Sequence, residues 1–222
     1  ILVDFPGFNI RLAERLHRLG VPVIYYVCPQ VWAWHRGRVR ILARSVNRLL
    51  ALFPFEKELL AGTGLAIEFG GHPLVGPALA QRRTPPEPLP WQGAVRLALL
   101  PGSRRHEIDR HLPPMLEAAA LLEKREPDLS CLIATPSTAS APDMERRLSA
   151  WTGPRPSRLA VVGGLTREVL KQARAAAVAS GTATLETALM RCPMIIVYRT
   201  AALTYALARV LVRVPFIGMV NL

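Results

Sequence analysis

The sequence predicts an α/β fold made of two units, each built on a mostly parallel sheet. Three observations carry this. Short apolar runs of strand length alternate with amphipathic stretches of helix length. Small, glycine-containing turns stand where strands hand over to helices. A proline-rich break between residues 82 and 90 interrupts the rhythm once, after which it restarts.

The elements follow in order. Ile1–Val3 reads as a strand, and Asn9 can cap a helix over Ile10–Leu19 that stops at Gly20. Val21–Val27, rich in β-branched and aromatic residues, is the second strand. A helix over Val39–Val46, a strand over Leu49–Phe53, a helix over Phe55–Leu60 ending at Gly62, and a strand over Ala66–Phe69 complete the first unit. Arg82-Arg83-Thr84-Pro85-Pro86-Glu87-Pro88-Leu89-Pro90 then carries four prolines in six residues, which excludes regular structure there. The expected organisation is a first unit over 1–80, a linker over 81–92 and a second unit over 93–222. Strands in the second unit are expected at Val95–Leu100, Ser130–Ala134, Leu159–Val162, Ala177–Ala179 and Met194–Tyr198. Helices are expected at Ile108–Lys124, Pro142–Ala150, Arg167–Ala173, Thr184–Met190 and Ala201–Val212. Two such Rossmann-like units bind ligands at the carboxyl ends of their strands.

Composition narrows the class further. The chain has 222 residues, of which 50% are hydrophobic and 20% charged, so intrinsic disorder is excluded. No apolar run reaches the roughly 18–20 residues of a membrane span; the best, Ala201 to Val214, is broken by Arg209 and Arg213. Cys28, Cys131 and Cys192 are three in number and far apart, which argues against a disulfide framework or a zinc cluster. The net charge is +12, and only Lys57, Lys124 and Lys171 among the 28 cations are not arginine. Arginine is the better forked clamp for phosphate; abundant Arg, Ala, Pro and Gly are equally the product of GC-rich coding. The chain opens at Ile1 without Met and inside an expected strand, and it ends at Asn221-Leu222. It reads as an internal piece of a longer protein.

Four stretches carry candidate chemistry. In Pro101-Gly102-Ser103-Arg104, a glycine permits close approach of backbone to ligand, helix N–H groups favour an anion, and Arg104 can clamp a diphosphate. An ordinary turn with a solvated arginine has the same sequence. In Ser180-Gly181-Thr182-Ala183-Thr184-Leu185-Glu186, a second strand again ends in a small turn. Thr182 or Thr184 can cap the helix, and Glu186 can accept two ribose hydroxyls. Neither turn matches the Walker or dinucleotide fingerprints, which argues against ATP hydrolysis and hydride transfer. At the end of the first strand, Asp4 is a candidate general base, or simply a turn former beside the cap Asn9. In the fourth stretch, Trp32 and Trp34 precede Arg36, Arg38, Arg40, Arg44 and Arg48. Arg36, Arg40, Arg44 and Arg48 are spaced by four, so one helix would line them on one face. Such a face beside an aromatic pair suits an anionic lipid or a phosphorylated acceptor, or is a plain solvated surface. No nucleic-acid-binding motif is present. Cys28 has no evident base and reads as packing; His72 reads as a hinge histidine bonded to backbone.

Together these segments resemble the lipid-A-disaccharide synthase family of bacterial glycosyltransferases. The matching stretches are Asp4-Phe5-Pro6-Gly7-Phe8-Asn9, Tyr26 to Trp34, Phe53-Pro54-Phe55-Glu56, Gly71-His72-Pro73-Leu74, Leu99 to Arg104 with Glu107, Ser180 to Glu186, Cys192-Pro193-Met194 and Asn221-Leu222. They keep the family's order over nearly the whole chain. The resemblance implies two Rossmann-like domains of the glycosyltransferase-B type, both incomplete here, and a chain inactive by itself. It implies an inverting transfer that joins UDP-2,3-diacylglucosamine to 2,3-diacylglucosamine 1-phosphate (lipid X), giving the lipid A disaccharide 1-phosphate and UDP. By the same resemblance Asp4 is the base, and Gly102, Ser103, Arg104, Ser180, Gly181, Thr182 and Ala183 cradle the diphosphate. Glu186 holds the ribose, and Asn221 closes the nucleotide site. Many relatives carry Asp where this chain has Gly7, so no role needing a carboxylate there transfers. No metal or other cofactor is expected. Trp32, Trp34, Arg36, Arg40, Arg44 and Arg48 would rest on the anionic cytoplasmic face of the inner membrane, with no nucleic acid as partner and an oligomer possible. Two other readings compete: another UDP-sugar transferase or an epimerase of the same fold, and a non-catalytic anionic-lipid-binding or nucleic-acid-binding module.

Overall fold

The computed structural model describes residues 1–29 and 37–199. Its elements divide into two compact units, with the boundary between Val75 and Gly76.

The first unit runs β1 (Leu2–Val3), α1 (Pro6–Arg18), β2 (Ile24–Tyr26), α2 (Gly37–Ser45), β3 (Arg48–Ala51), α3 (Pro54–Leu59) and β4 (Ile67–Phe69). The four strands form one parallel sheet in the order β1-β2-β3-β4. The apolar positions that drive it are few and fully enclosed: Ala13, Tyr25, Leu42, Leu49 and Ala51. Helix α1 starts earlier than Asn9 because Pro6, with its φ preset, occupies the first turn. Asn9 therefore lies inside the helix and does not cap it. Its amide donates to the carbonyls of Val3 and Asp4 at 3.0 and 2.8 Å.

The second unit runs α4 (Val75–Arg83), β5 (Val95–Leu100), α5 (Arg105–Glu123), β6 (Leu129–Thr135), a 3₁₀ turn (Thr138–Ser140), α6 (Ala141–Ala150), β7 (Leu159–Gly163), α7 (Thr166–Gln172), β8 (Ala175–Ala179), α8 (Thr182–Leu189) and β9 (Met194–Val197). The strand order is β7-β6-β5-β8-β9, all parallel. Successive strand residues face opposite cores. Ala98, Leu100, Leu132 and Ala134 pack with Val169 and Leu170, while Leu99, Cys131 and Ile133 pack with Leu112, Met115 and Leu116. A sheet covered on both faces explains why β6 reads as an unbroken buried run.

Residues 81–92 are not a free linker. Residues 75–83 are helical, and Ala78 is buried in the second unit's core. Prolines keep 84–90 irregular, yet side chains of α7 bind this stretch along its length. Lys171 Nζ donates to the Thr84 carbonyl, Glu87 N–H donates to Glu168 at 2.9 Å, and Gln172 donates to the Glu87 carbonyl at 2.7 Å. Absence of regular structure here is not absence of fixed structure.

Candidate functional site

In the second sheet, β5 lies at the centre and the chain winds outward from it in both directions. The reversal of direction falls between β5 and β8, whose partners run from Leu97↔Ala175 to Leu100↔Val178. A crevice opens where the connections on the two sides diverge. The turns leaving these two neighbouring strands are the two singled out from sequence, about eighty residues apart in the chain. Gly102, Ser103, Arg104, Ser180, Gly181, Thr182, Ala183 and Glu186 all line one polar cavity of about 520 Å³.

The two turns differ in how their donors are used. At the first, Glu107 Oε2 accepts from the N–H groups of Ser103 and Arg104 at 3.1 and 3.2 Å, and Oε1 accepts from the Arg104 guanidinium at 2.7 Å. These N–H groups, expected to be open to an anion, are already bonded to an internal carboxylate. Burial pushes the Glu107 carboxyl up, but Arg104 and the two N–H groups outweigh it and hold it below the usual range. Behind the turn, the Pro101 carbonyl accepts from Nδ1 of buried His111, whose Nε2 accepts from Arg199 N–H at 2.9 Å. The imidazole thus ties the turn to the chain beyond β9.

At the second turn no side chain caps α8. Its N-cap is Gly181, and the hydroxyl of buried Thr184 donates back to the Gly181 carbonyl at 2.7 Å. Neither threonine takes the capping role expected of it, because an inward-facing Thr184 finds its acceptor one turn back. The α8 terminus lines the cavity, and among the described residues no side-chain carboxylate caps it.

Sequence reasoning missed the third wall. Gly164, Leu165, Thr166 and Arg167, after β7, line the same cavity with Glu168 and Gln81. Arg167 Nε donates to Glu186 Oε1 at 2.8 Å, so the candidate ribose acceptor is held by a cation. The available signal was Gly163-Gly164 at a strand end, a third small-residue turn.

In the first unit, Asp4 and Phe5 adopt left-handed φ values of 47° and 45°, and Val27 one of 72°. Three such non-glycine residues at the ends of β1 and β2 mark a strained strand edge. It is tightly held. Asp4 N–H donates to the Tyr26 carbonyl at 2.9 Å, and the Asp4 carbonyl accepts from Tyr25 Oη at 2.6 Å and from Asn9. Burial, and then the charge of Asp4, push the Tyr25 hydroxyl up to about 12, so it remains a donor. The Asp4 side chain itself is exposed.

Of the expected arginine row, Arg40 and Arg44 lie exposed on α2. Arg48 does not: the helix ends at Ser45, and Arg48 begins β3 and pairs with Glu68 at 2.5 Å. A spacing of four was preserved across a turn that breaks the helix. Trp32, Trp34, Arg36, Asn221 and the expected helix over 201–212 lie outside the described residues. Cys28 is buried, and His72 Nδ1 accepts from Leu74 N–H at 3.1 Å.

Two units, each built on a parallel sheet, with a polar cavity at the reversal point of the second sheet, define an α/β protein of Rossmann-like architecture. The S. aureus MnaA–UDP co-structure has a related fold, with a TM-score of 0.57, 10% identity, and 99% of this chain and 63% of that chain covered. The chain belongs to the lipid-A-disaccharide synthetase family, whose model matches residues 1–222. It is 42% identical to a lipid-A-disaccharide synthase of Anaeromyxobacter dehalogenans and 41% identical to one of Myxococcus xanthus, covering 100% of this chain in each case. It spans 58% of the length of each of these curated relatives. Among the described residues, no helix is long and apolar enough to cross a membrane.

Proposed function

We propose that the protein is an inverting glycosyltransferase of lipid A biosynthesis. It condenses UDP-2,3-diacylglucosamine with lipid X to give the lipid A disaccharide 1-phosphate and UDP. The observation that carries this reading is the convergence of two distant turns on one cavity in a chain of this family. The diphosphate lies against the α8 terminus at Ser180–Ala183 and against Arg104, with Gly102 and Ser103 beside it. Glu186 accepts the ribose hydroxyls, exchanging its bond to Arg167 for them, and Asn221 closes over the nucleotide. Arginine and helix-terminus charge stabilise the leaving diphosphate as the anomeric C–O bond breaks. Asp4 takes the proton of the acceptor's 6-hydroxyl as that oxygen attacks. Its tethered backbone aims the carboxylate without cost at the moment of reaction.

The acceptor side includes Trp32, Trp34, Arg36, Arg40 and Arg44, which rest on the anionic cytoplasmic face of the inner membrane. Arg48, paired in the sheet, is left out of that surface. The test is a transferase assay on the intact protein with defined acyl donors and acceptors. Disaccharide and UDP in equal amounts are expected. UDP-sugar isomerised without acceptor, or no product at all, would refute the reading.

A further inference from the structure

Glu107 stands between the donors of the first turn and any ligand. Both of its oxygens are engaged, one by the N–H groups of Ser103 and Arg104, the other by the Arg104 guanidinium. Gly102 makes this possible. It sits at φ +115°, and a Cβ there would lie 2.8 Å from the Glu107 Cβ and 2.9 Å from its Oε2. The carboxyl is held below its usual range, so it is ionised at neutral pH. Donors that a diphosphate would seek at this turn are thus answered by a carboxylate of the chain itself. At the facing turn Gly181 is the N-cap of α8, which has no side-chain cap bond among the described residues.

We infer that Glu107 is a built-in anion that competes with the ligand's diphosphate for Arg104, limiting affinity for the nucleoside diphosphate so that the product leaves. This rests on the reading of the cavity as a nucleotide site. When the diphosphate arrives, Arg104 turns from Glu107 to the phosphate oxygens, while Glu107 keeps the two N–H groups and holds the turn in shape. The bond from Arg104 to Glu107 that must be given up sets the ceiling on affinity. In the empty site the same ion pair keeps Arg104, whose side chain is 72% exposed, from recruiting other anions.

The experiment is calorimetric titration of UDP and of uridine into the wild type, E107Q, R104A and the double variant. Glutamine keeps a carbonyl oxygen for the N–H groups and removes the charge. E107Q is expected to bind UDP about fivefold or more tightly than the wild type, with uridine unchanged, since a charge at a helix terminus acts only on a charged ligand. The gain should vanish in the R104A background. Unchanged or weaker UDP binding by E107Q, or a gain that persists without Arg104, would overturn the inference. A UDP-bound structure of the wild type gives a second readout independent of any variant. There Arg104 should contact phosphate, and a retained Arg104–Glu107 bond would overturn the role of Glu107. A wild type that binds neither UDP nor uridine would instead overturn the nucleotide site itself.

Discussion

Asp4 and Arg104 show how differently single residues can be held for use. Asp4 owes its place to backbone strain, of order 1–3 kcal/mol per such residue, offset by the bonds from Tyr25 and Asn9 to its carbonyl. Replacing it with alanine keeps those bonds, since they involve the main chain. D4A should therefore abolish turnover in the intact enzyme while UDP affinity stays at the wild-type value; near-normal turnover would remove Asp4 as the base. Arg104 is held by main chain and side chain together, its N–H and its guanidinium both bonded to Glu107. R104A should weaken UDP binding roughly tenfold or more, as expected for loss of a charge-assisted contact to phosphate, and unchanged affinity by titration would refute the clamp. Gly102 has no such latitude. Its positive φ and the contact a Cβ would make with Glu107 predict that G102A lowers stability by about 1–3 kcal/mol. Urea unfolding of the chain checks this.

At the scale of elements, α7 does two things at once. Its N-terminal turn walls the cavity through Thr166 and Arg167, and its buried Glu168 gathers the Gln81 amide, the Glu87 N–H, the Gln172 amide and Lys171. Burial raises the Glu168 carboxyl, but the bonds from Gln172, Glu87 and Gln81 prevail and hold it below the ordinary value of 4.5. A depressed folded pKa means that this stability is present above about pH 4.5 and drains away as pH falls through the folded value. E168A should cost about 1–3 kcal/mol by leaving several part-buried donors without their shared acceptor, and should flatten the loss of stability measured by urea midpoints below pH 4.5. Helix α2 supplies a contrast. Arg40 and Arg44 project from it, whereas Arg48 sits in β3 in an exposed pair worth at most about 1 kcal/mol. Reversing the charge of Arg40 and Arg44 together should weaken sedimentation with anionic vesicles, and R48A should not. Equal losses would mean that the charge is read diffusely and not as a helix face.

Across the whole molecule the three thiols are enclosed. Burial pushes Cys28 and Cys131 up to about 12 and Cys192 up to about 11 from an ordinary 9.0, with the Glu56 charge adding to the effect at Cys28 and Glu123 at Cys131. An acid with a raised folded pKa is deprotonated first in the unfolded chain. Stability is therefore full below about pH 9 and falls as pH rises towards 12. Urea midpoints should decline over that interval, and alkylation of the thiols at pH 8 should await unfolding; rapid labelling of the native protein would contradict this. Most of the strands were legible because an apolar run buried on both faces leaves a local signature, as Val95–Leu100 does with identical bounds in sequence and structure. Helix α4 was not, since Val75–Arg83 has almost no amphipathic pattern and is fixed by Ala78 and by bonds to α7. The sequence by itself determined the α/β class, the family and both turns of the candidate site, all of which are written in short contiguous stretches. Only the tertiary structure decided that β5 and β8 are neighbours, that Glu107 already occupies one turn, that Arg167 faces Glu186, and that Arg48 leaves its row. These depend on strand order and on which side chain reaches which donor, settled by residues far apart in the chain for Arg167 and Glu186 and by one helical turn for Arg104 and Glu107.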